Sequence, residues 1–318
     1  MVDELLRNLD KTPSKSSVYV WADYIELRCL LHPDRYFTLD GAEEALQEAS
    51  DYSADSVDQQ LASCNEGLDK LAERWEECER VLTRRQALFS EAYPFSVSGE
   101  FRGLEVAEDA DNPLRQWYRF LLLASALQYV PRHNQLTSAF ERASYTLFKH
   151  LTPRGAEVHG FWPGAHHYPN DKAGRLTKLA IDLRGIASFT DNAFNLGDRG
   201  DAGIDLVAWH PMGDQRDRIP IALGQCGCSV EEWKTKPLSV SRNNLSQKIF
   251  IGPDWWQFYF MPLEMCGQTG KWADGAGDLP SVIVVDRSRF IGIARDFDLI
   301  LPDEALPLLE QLDAFRFH

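Results

Sequence analysis

The chain has 318 residues, 44% of them hydrophobic and 25% charged, the balance of an ordinary globular protein with length enough for two domains. No run of 18 apolar residues occurs, which excludes a membrane-spanning helix. Lysine and arginine number 33 against 48 aspartates and glutamates, a net charge of −15, so strong nucleic-acid binding through bulk positive charge is excluded too.

The N-terminus, Met1-Val2-Asp3-Glu4, is acidic and has no apolar signal core. The six cysteines (29, 64, 78, 226, 228 and 266) are scattered and read as reduced thiols. Both features point to the cytoplasm. Residues 17–35 read as a helix with Val18, Trp21, Ile25 and Leu27 among its apolar positions. Tyr36-Phe37-Thr38-Leu39 is a short extended piece, after which Asp40 can cap another helix. Residues 56–90 carry Leu61, Cys64, Leu68, Leu71, Trp75, Cys78 and Leu82 at spacings of 3 and 4, a heptad seam. Such a helix either packs on its own chain or docks a second copy or another protein. Residues 1–130 hold 25 acidic and 13 basic side chains, against 23 and 20 for the rest. Residues 1–130 are therefore expected to form an acidic, all-helical domain, with 56–90 as its possible docking helix.

Residues 131–318 read as an α/β domain. Asn112-Pro113 opens a helix that stops before Pro131. A second runs from Asn134 to Leu151, with Leu136, Phe140, Ala143 and Leu147 on one stripe. Residues 153–171 form a loop rich in Gly, Pro and His. Lys172–Leu183 is a helix ended by Gly185. Two apolar strands follow, Ile204–Ala208 and Ile219–Leu223, joined by the polar turn formers of 211–218. Further strands are expected at 255–261, at 281–285 (central, from its apolarity) and at 290–293, before a last helix from Pro302.

Two polar residues interrupt the apolar strands: Asp205 lies inside the first and Gln225 closes the second. A hairpin that brings them together offers the oxygen pair a hard divalent cation needs. At these residues the chain resembles the PD-(D/E)XK nuclease superfamily, and in particular its Mrr-type restriction-endonuclease branch. The family pattern, G-D-x-G-I-D on one strand and Q-x-K on the next, is met by Gly200-Asp201-Ala202-Gly203-Ile204-Asp205 and by Gln225. The resemblance covers roughly residues 133–290. It implies a restriction-endonuclease-like core, a mixed sheet flanked by helices, and a Mg2+- or Mn2+-dependent DNA endonuclease of bacterial restriction or antiphage defence.

The resemblance gives Asp205, Gln225 and the Cys226 main-chain carbonyl to the metal. Asp201 either adds a ligand through water or closes an Asx turn. Glu141, on the upstream helix, either completes the site or is solvated. The family's lysine is missing, because position 227 is Gly. Lys234 is the nearest replacement, with Lys236, two residues on and facing elsewhere, as its control. The alternative is a catalytically degenerate scaffold or binding subunit. Cys226-Gly227-Cys228 is poor evidence for zinc, which favours Cys-x2-Cys pairs. No nucleophile elbow, Walker A or dinucleotide fingerprint occurs. The acidic charge makes DNA delivery by a protein partner or a homodimer a further expectation.

Overall fold

Leu206–Trp209 (β6) and Ile221–Cys226 (β7) are buried along their whole length, as continuous apolar runs must be when both faces of a sheet are covered. They pair antiparallel, Leu206 opposite Gly224 and Val207 opposite Leu223. β7 continues in parallel with Trp256–Phe260 (β9), and β9 with Ile283–Val285 (β10). Glu157–Gly160 (β4) closes the other edge against β6, giving the order β10-β9-β7-β6-β4. The computed structural model describes residues 5–7, 9, 13, 17–38, 74–98, 103–107, 112–131, 133–189, 203–267, 269, 271–272 and 282–315.

Strand alternation sorts the core into layers. Leu206, Ala208, Ala222, Phe258 and Phe260 pack on helices Pro113–Ser125 (α3), His133–Leu151 (α4) and Arg287–Asp296 (α6). Val207, Trp209, Ile221 and Leu223 pack on Leu176, Leu179 and Leu183 around helix Lys172–Asp182 (α5). The protein is thus mixed α/β, with a five-stranded mixed sheet flanked by helices. Asn112 and Asp171 cap α3 and α5 by accepting backbone N–H bonds, at 2.9 and 2.6 Å.

The first half is not all-helical. Tyr36–Thr38 (β1), Phe95–Ser98 (β2) and Gly103–Val106 (β3) form an antiparallel sheet in the order β1-β3-β2. Short strands edged with Ser, Thr and Glu give too little periodicity to read. Helix Val18–Leu31 (α1) lies against β3, and its core is continuous with that of α3, α4 and α6 and with helix Leu306–Ala314 (α7). Residues 74–89 are helical (α2) and add Trp75, Cys78 and Leu82 to that core, and Trp75 stacks on Phe37 at 6.3 Å. This part of the heptad seam is occupied within the chain. Leu61, Cys64, Leu68 and Leu71 lie outside the described residues.

Three other elements differ from expectation. The loop 153–171 contains β4, whose Glu-Val-His-Gly run lacks an apolar signature because it is an edge. Residues 290–293 are helical: Asp286 caps α6 by accepting the Arg289 N–H at 3.0 Å, and Phe290, Ile291 and Ala294 face the core together. A four-residue apolar run cannot separate strand from helix. β10 is an edge strand, with Ile283 43% exposed; its apolarity serves packing on the Trp233–Tyr259 cluster.

A buried ionic cluster joins α1, α2 and the start of α6. Arg287 donates to both Asp23 oxygens, at 3.0 and 2.9 Å, and to the Pro262 carbonyl and the Ser125 hydroxyl. Arg85 pairs with Asp23 at 2.7 Å, with Glu26 at 3.0 Å and with Glu264 at 3.2 Å. Among the described residues no helix is long and apolar enough to cross a membrane.

Candidate functional site

The parallel strands β7, β9 and β10 end on the side where β6 begins and β4 finishes. Ligand sites of open α/β sheets lie outside the carboxyl ends of such strands. Here the sheet loosens. The Asp205 N–H donates to the Gly224 carbonyl at 3.0 Å, and the Asp205 carbonyl accepts from Phe161 N–H at 2.7 Å. The Asp205 carboxylate then accepts the Cys226 N–H at 2.6 Å. A strand aspartate is thereby held against the main chain at the end of the next strand, beside Gln225.

Gly203, from the motif, makes this possible. Its φ is +79°, which disfavours any side chain. A Cβ there would stand 2.2 Å from the Ser239 hydroxyl and 3.0 Å from Gln225 Nε2. Gln225 is fully buried, and its Nε2 donates to Ser239 Oγ at 2.8 Å and to the Lys236 carbonyl at 3.3 Å. Its Oε1 is buried and accepts no hydrogen bond among the described residues. Neither does the hydroxyl of Tyr259, the residue in register with Gln225 on β9, have a hydrogen-bond partner there. Two such groups on one face of neighbouring strands are unusual, since buried polar groups are nearly always satisfied.

Gly227 occupies the place of the family's lysine, and the structure shows why a side chain is excluded. A Cβ at 227 would stand 2.0 Å from the Tyr259 hydroxyl. The segment after β7 winds through two 3-10 turns, Glu232–Lys234 and Lys236–Val240. Lys236 Nζ donates to the Cys226 carbonyl at 2.6 Å. Lys234 is exposed, its ammonium 5.0 Å over the neighbouring Trp233 ring. Of the two lysines, it is therefore Lys236 whose ammonium lies against the end of β7. Carboxylate, carbonyl and ammonium converge on one residue: Asp205 takes the Cys226 N–H and Lys236 takes its C=O. Nothing in the sequence distinguished Lys236 from Lys234, and nothing pointed to Tyr259 or Ser239. Gly227→Ala is expected to destabilise the protein by about 1–3 kcal/mol, the cost of overpacking. Tyr259→Phe in the same chain should recover most of that loss. A denaturant titration of the single and double variants checks both.

Glu141, on α4, lies near enough to act on the same thiols as Asp205. Burial, then Asp205 and then Glu141 push the Cys226 thiol up. Cys228 is raised by burial first, against the nearby Lys236. Neither is a nucleophile, because the thiolate is the reactive form. The described cysteines are free, and no three His, Cys, Asp or Glu side chains among the described residues are placed to hold a metal. Asp201 lies outside the described residues.

No family model matches the chain, and no curated protein or solved structure matches it. The residues at the end of β7 are therefore the ground for a functional reading.

Proposed function

We propose that the protein is a metal-dependent DNA endonuclease of the PD-(D/E)XK kind, its sheet the counterpart of a restriction-endonuclease-like core. The observation that carries this reading is the Lys236 ammonium on the Cys226 carbonyl, one peptide plane from the Asp205 carboxylate. A phosphodiester site needs a carboxylate anchor, neutral oxygen ligands and a cation where negative charge develops. Asp205 supplies the first, and Gln225 Oε1 and the Cys226 carbonyl the second. Lys236 supplies the third.

The donor set fits Mg2+ or Mn2+. It is all oxygen, and it includes the buried Gln225 acceptor that has no hydrogen-bond partner among the described residues. When bound, such an ion polarises the scissile phosphate and lowers the pKa of an attacking water. Asp205 holds the anionic side of the site, anchored by the Cys226 N–H. Gln225 is locked by Ser239 and the Lys236 carbonyl, so its oxygen stays fixed. Lys236 can leave the Cys226 carbonyl and neutralise charge on the phosphate oxygens. Glu141 is the further acid of the site.

The net charge of −15 makes DNA grip by this chain alone weak, so a partner or a second copy belongs to the proposal. A role in restriction or antiphage defence in the cytoplasm rests on the motif resemblance alone. Supercoiled plasmid incubated with the protein and Mg2+ or Mn2+, with and without EDTA, is the direct test. Lys236→Ala should slow cleavage by about a hundredfold or more, the scale of losing one group that stabilises transition-state charge. Lys234→Ala should cleave at close to the wild-type rate. The reverse pattern would return the catalytic cation to Lys234. A folded wild type inert with either metal would favour the degenerate scaffold.

A further inference from the structure

Next to the candidate site is a cavity of ≈ 640 Å3 between α4, β4 and the segment after β4. That volume lies in the range of small-molecule sites. Its walls include Arg142, Tyr145, His159, Trp162, His166 and His167. The Trp162 indole lies directly over Gly160, where a Cβ would be 2.2 Å from the ring. The Arg142 guanidinium caps the same ring at 3.6 Å, and Tyr145 meets it edge-on at 5.7 Å. Opposite these, His159 and His167 stack at 3.8 Å and 16°, and Trp209 lies 5.1 Å from the His159 ring, at 29° to it. His167 is anchored by Asp182 at 2.8 Å. The cavity thus has two sets of fixed, flat rings. It also has two buried nitrogens, the Arg142 Nη1 donor and His159 Nε2, with no hydrogen-bond partner among the described residues. The nearest carboxylates, Glu304 to Arg142 and Glu157 to His159, stand at 3.7 and 3.6 Å.

The cavity and the site share both walls. On α4, Arg142 and Tyr145 each follow a residue that approaches Cys226, namely Glu141 and Ser144. On the sheet, Gly160 is in register with Leu206, and the Phe161 N–H binds the Asp205 carbonyl. Gly160 of the cavity wall is thus one residue from Phe161, whose N–H meets the Asp205 carbonyl. Flat rings stack bases without regard to sequence, and free N–H donors suit base edges and phosphate oxygens.

We infer that this cavity binds an unpaired nucleotide of the DNA strand, its base against the His159–His167 stack, with Arg142, held over the Trp162 ring, donating to it. The inference rests on the nuclease reading for the identity of the strand, but binding can be measured apart from cleavage. The experiment is fluorescence anisotropy of a short labelled DNA single strand and of its blunt duplex, in EDTA so that neither is cut. The single strand should bind the full-length protein about tenfold tighter than the duplex, the scale of one base–aromatic stack. A deoxynucleoside monophosphate should compete, and inorganic phosphate should not. Trp162→Ala and Arg142→Gln should each erase the preference, with circular dichroism confirming the fold; should Trp162→Ala unfold, Arg142→Gln decides. A wild type with no preference for the single strand, or variants that keep the preference, would overturn the inference. Strand preference without metal-dependent cleavage would overturn the nuclease reading alone, and cleavage without strand preference would overturn the cavity assignment alone.

Discussion

Asp205→Asn is expected to abolish plasmid cleavage while leaving the fold in place. The Asp205 carboxylate accepts the Cys226 N–H at 2.6 Å, and the asparagine carbonyl can accept the same bond. The structural loss is therefore about 1 kcal/mol, the difference between a charge-assisted and a neutral hydrogen bond. The functional loss is larger. Without the carboxylate, the site keeps Glu141 at its margin beside neutral amide and peptide oxygens, too little negative charge to hold a hard dication at the phosphate. Lewis-acid stabilisation is worth several kcal/mol, and each 1.36 kcal/mol is tenfold, so the rate should fall by about a thousandfold or more. Gel electrophoresis of plasmid over time gives the rate, and the circular dichroism melt gives the fold. A variant that cuts at the wild-type rate would remove Asp205 from the site.

Arg287→Ala should produce the largest loss of stability, about 3–5 kcal/mol, as expected when one partner is removed from a buried ion pair. The guanidinium is fully buried and holds Asp23 through two parallel bonds, with further bonds to Pro262, Ser125 and Tyr118. Its removal leaves the Asp23 carboxylate with Arg85 and the Ser125 hydroxyl. Arg287→Lys should recover only part of the loss, because an ammonium cannot form the paired bonds. Domains are held by about 5–15 kcal/mol, so the midpoint of a denaturant titration should move far. A shift below about 1 kcal/mol would mean that the cluster does not bind the two ends of the chain together. The same pair makes the protein acid-sensitive. Burial alone would raise the Asp23 carboxyl, but Arg287 and Arg85 outweigh it and hold it below its ordinary range. Its contribution is present above pH about 4 and is lost as the pH falls through the lower folded-state value. Glu26 runs the other way: burial, with Asp23 nearby, outweighs the arginines and raises it, so its ionisation opposes folding at neutral pH.

Much of the α/β layering was legible in the residues themselves. The runs at 206–209 and 221–226 had to become buried strands, because so many adjacent apolar side chains need cover on both faces. The stripes of α4 and α5 and the Asn112-Pro113 opening of α3 marked those helices locally. Gly203 and Asp205 were legible for a similar reason: a residue in a positive-φ turn and an acid in an apolar strand each conflict with their surroundings. Short and edge elements were not legible. β4 and the three strands of the first half are half exposed, so burial imprints no alternation on them, and four apolar residues at 290–293 fit a strand as well as a helix until Asp286 caps them. Which lysine lies against the Cys226 carbonyl was decided by tertiary structure alone. Lys234 and Lys236 have the same chemistry, two residues apart in an irregular segment, and differ only in direction. That direction follows from where the 3-10 turns pack against Gln225 and Ser239. The closed position at Gly227 follows from a tyrosine 32 residues away, on a strand that sequence pattern could place in the sheet but not beside β7.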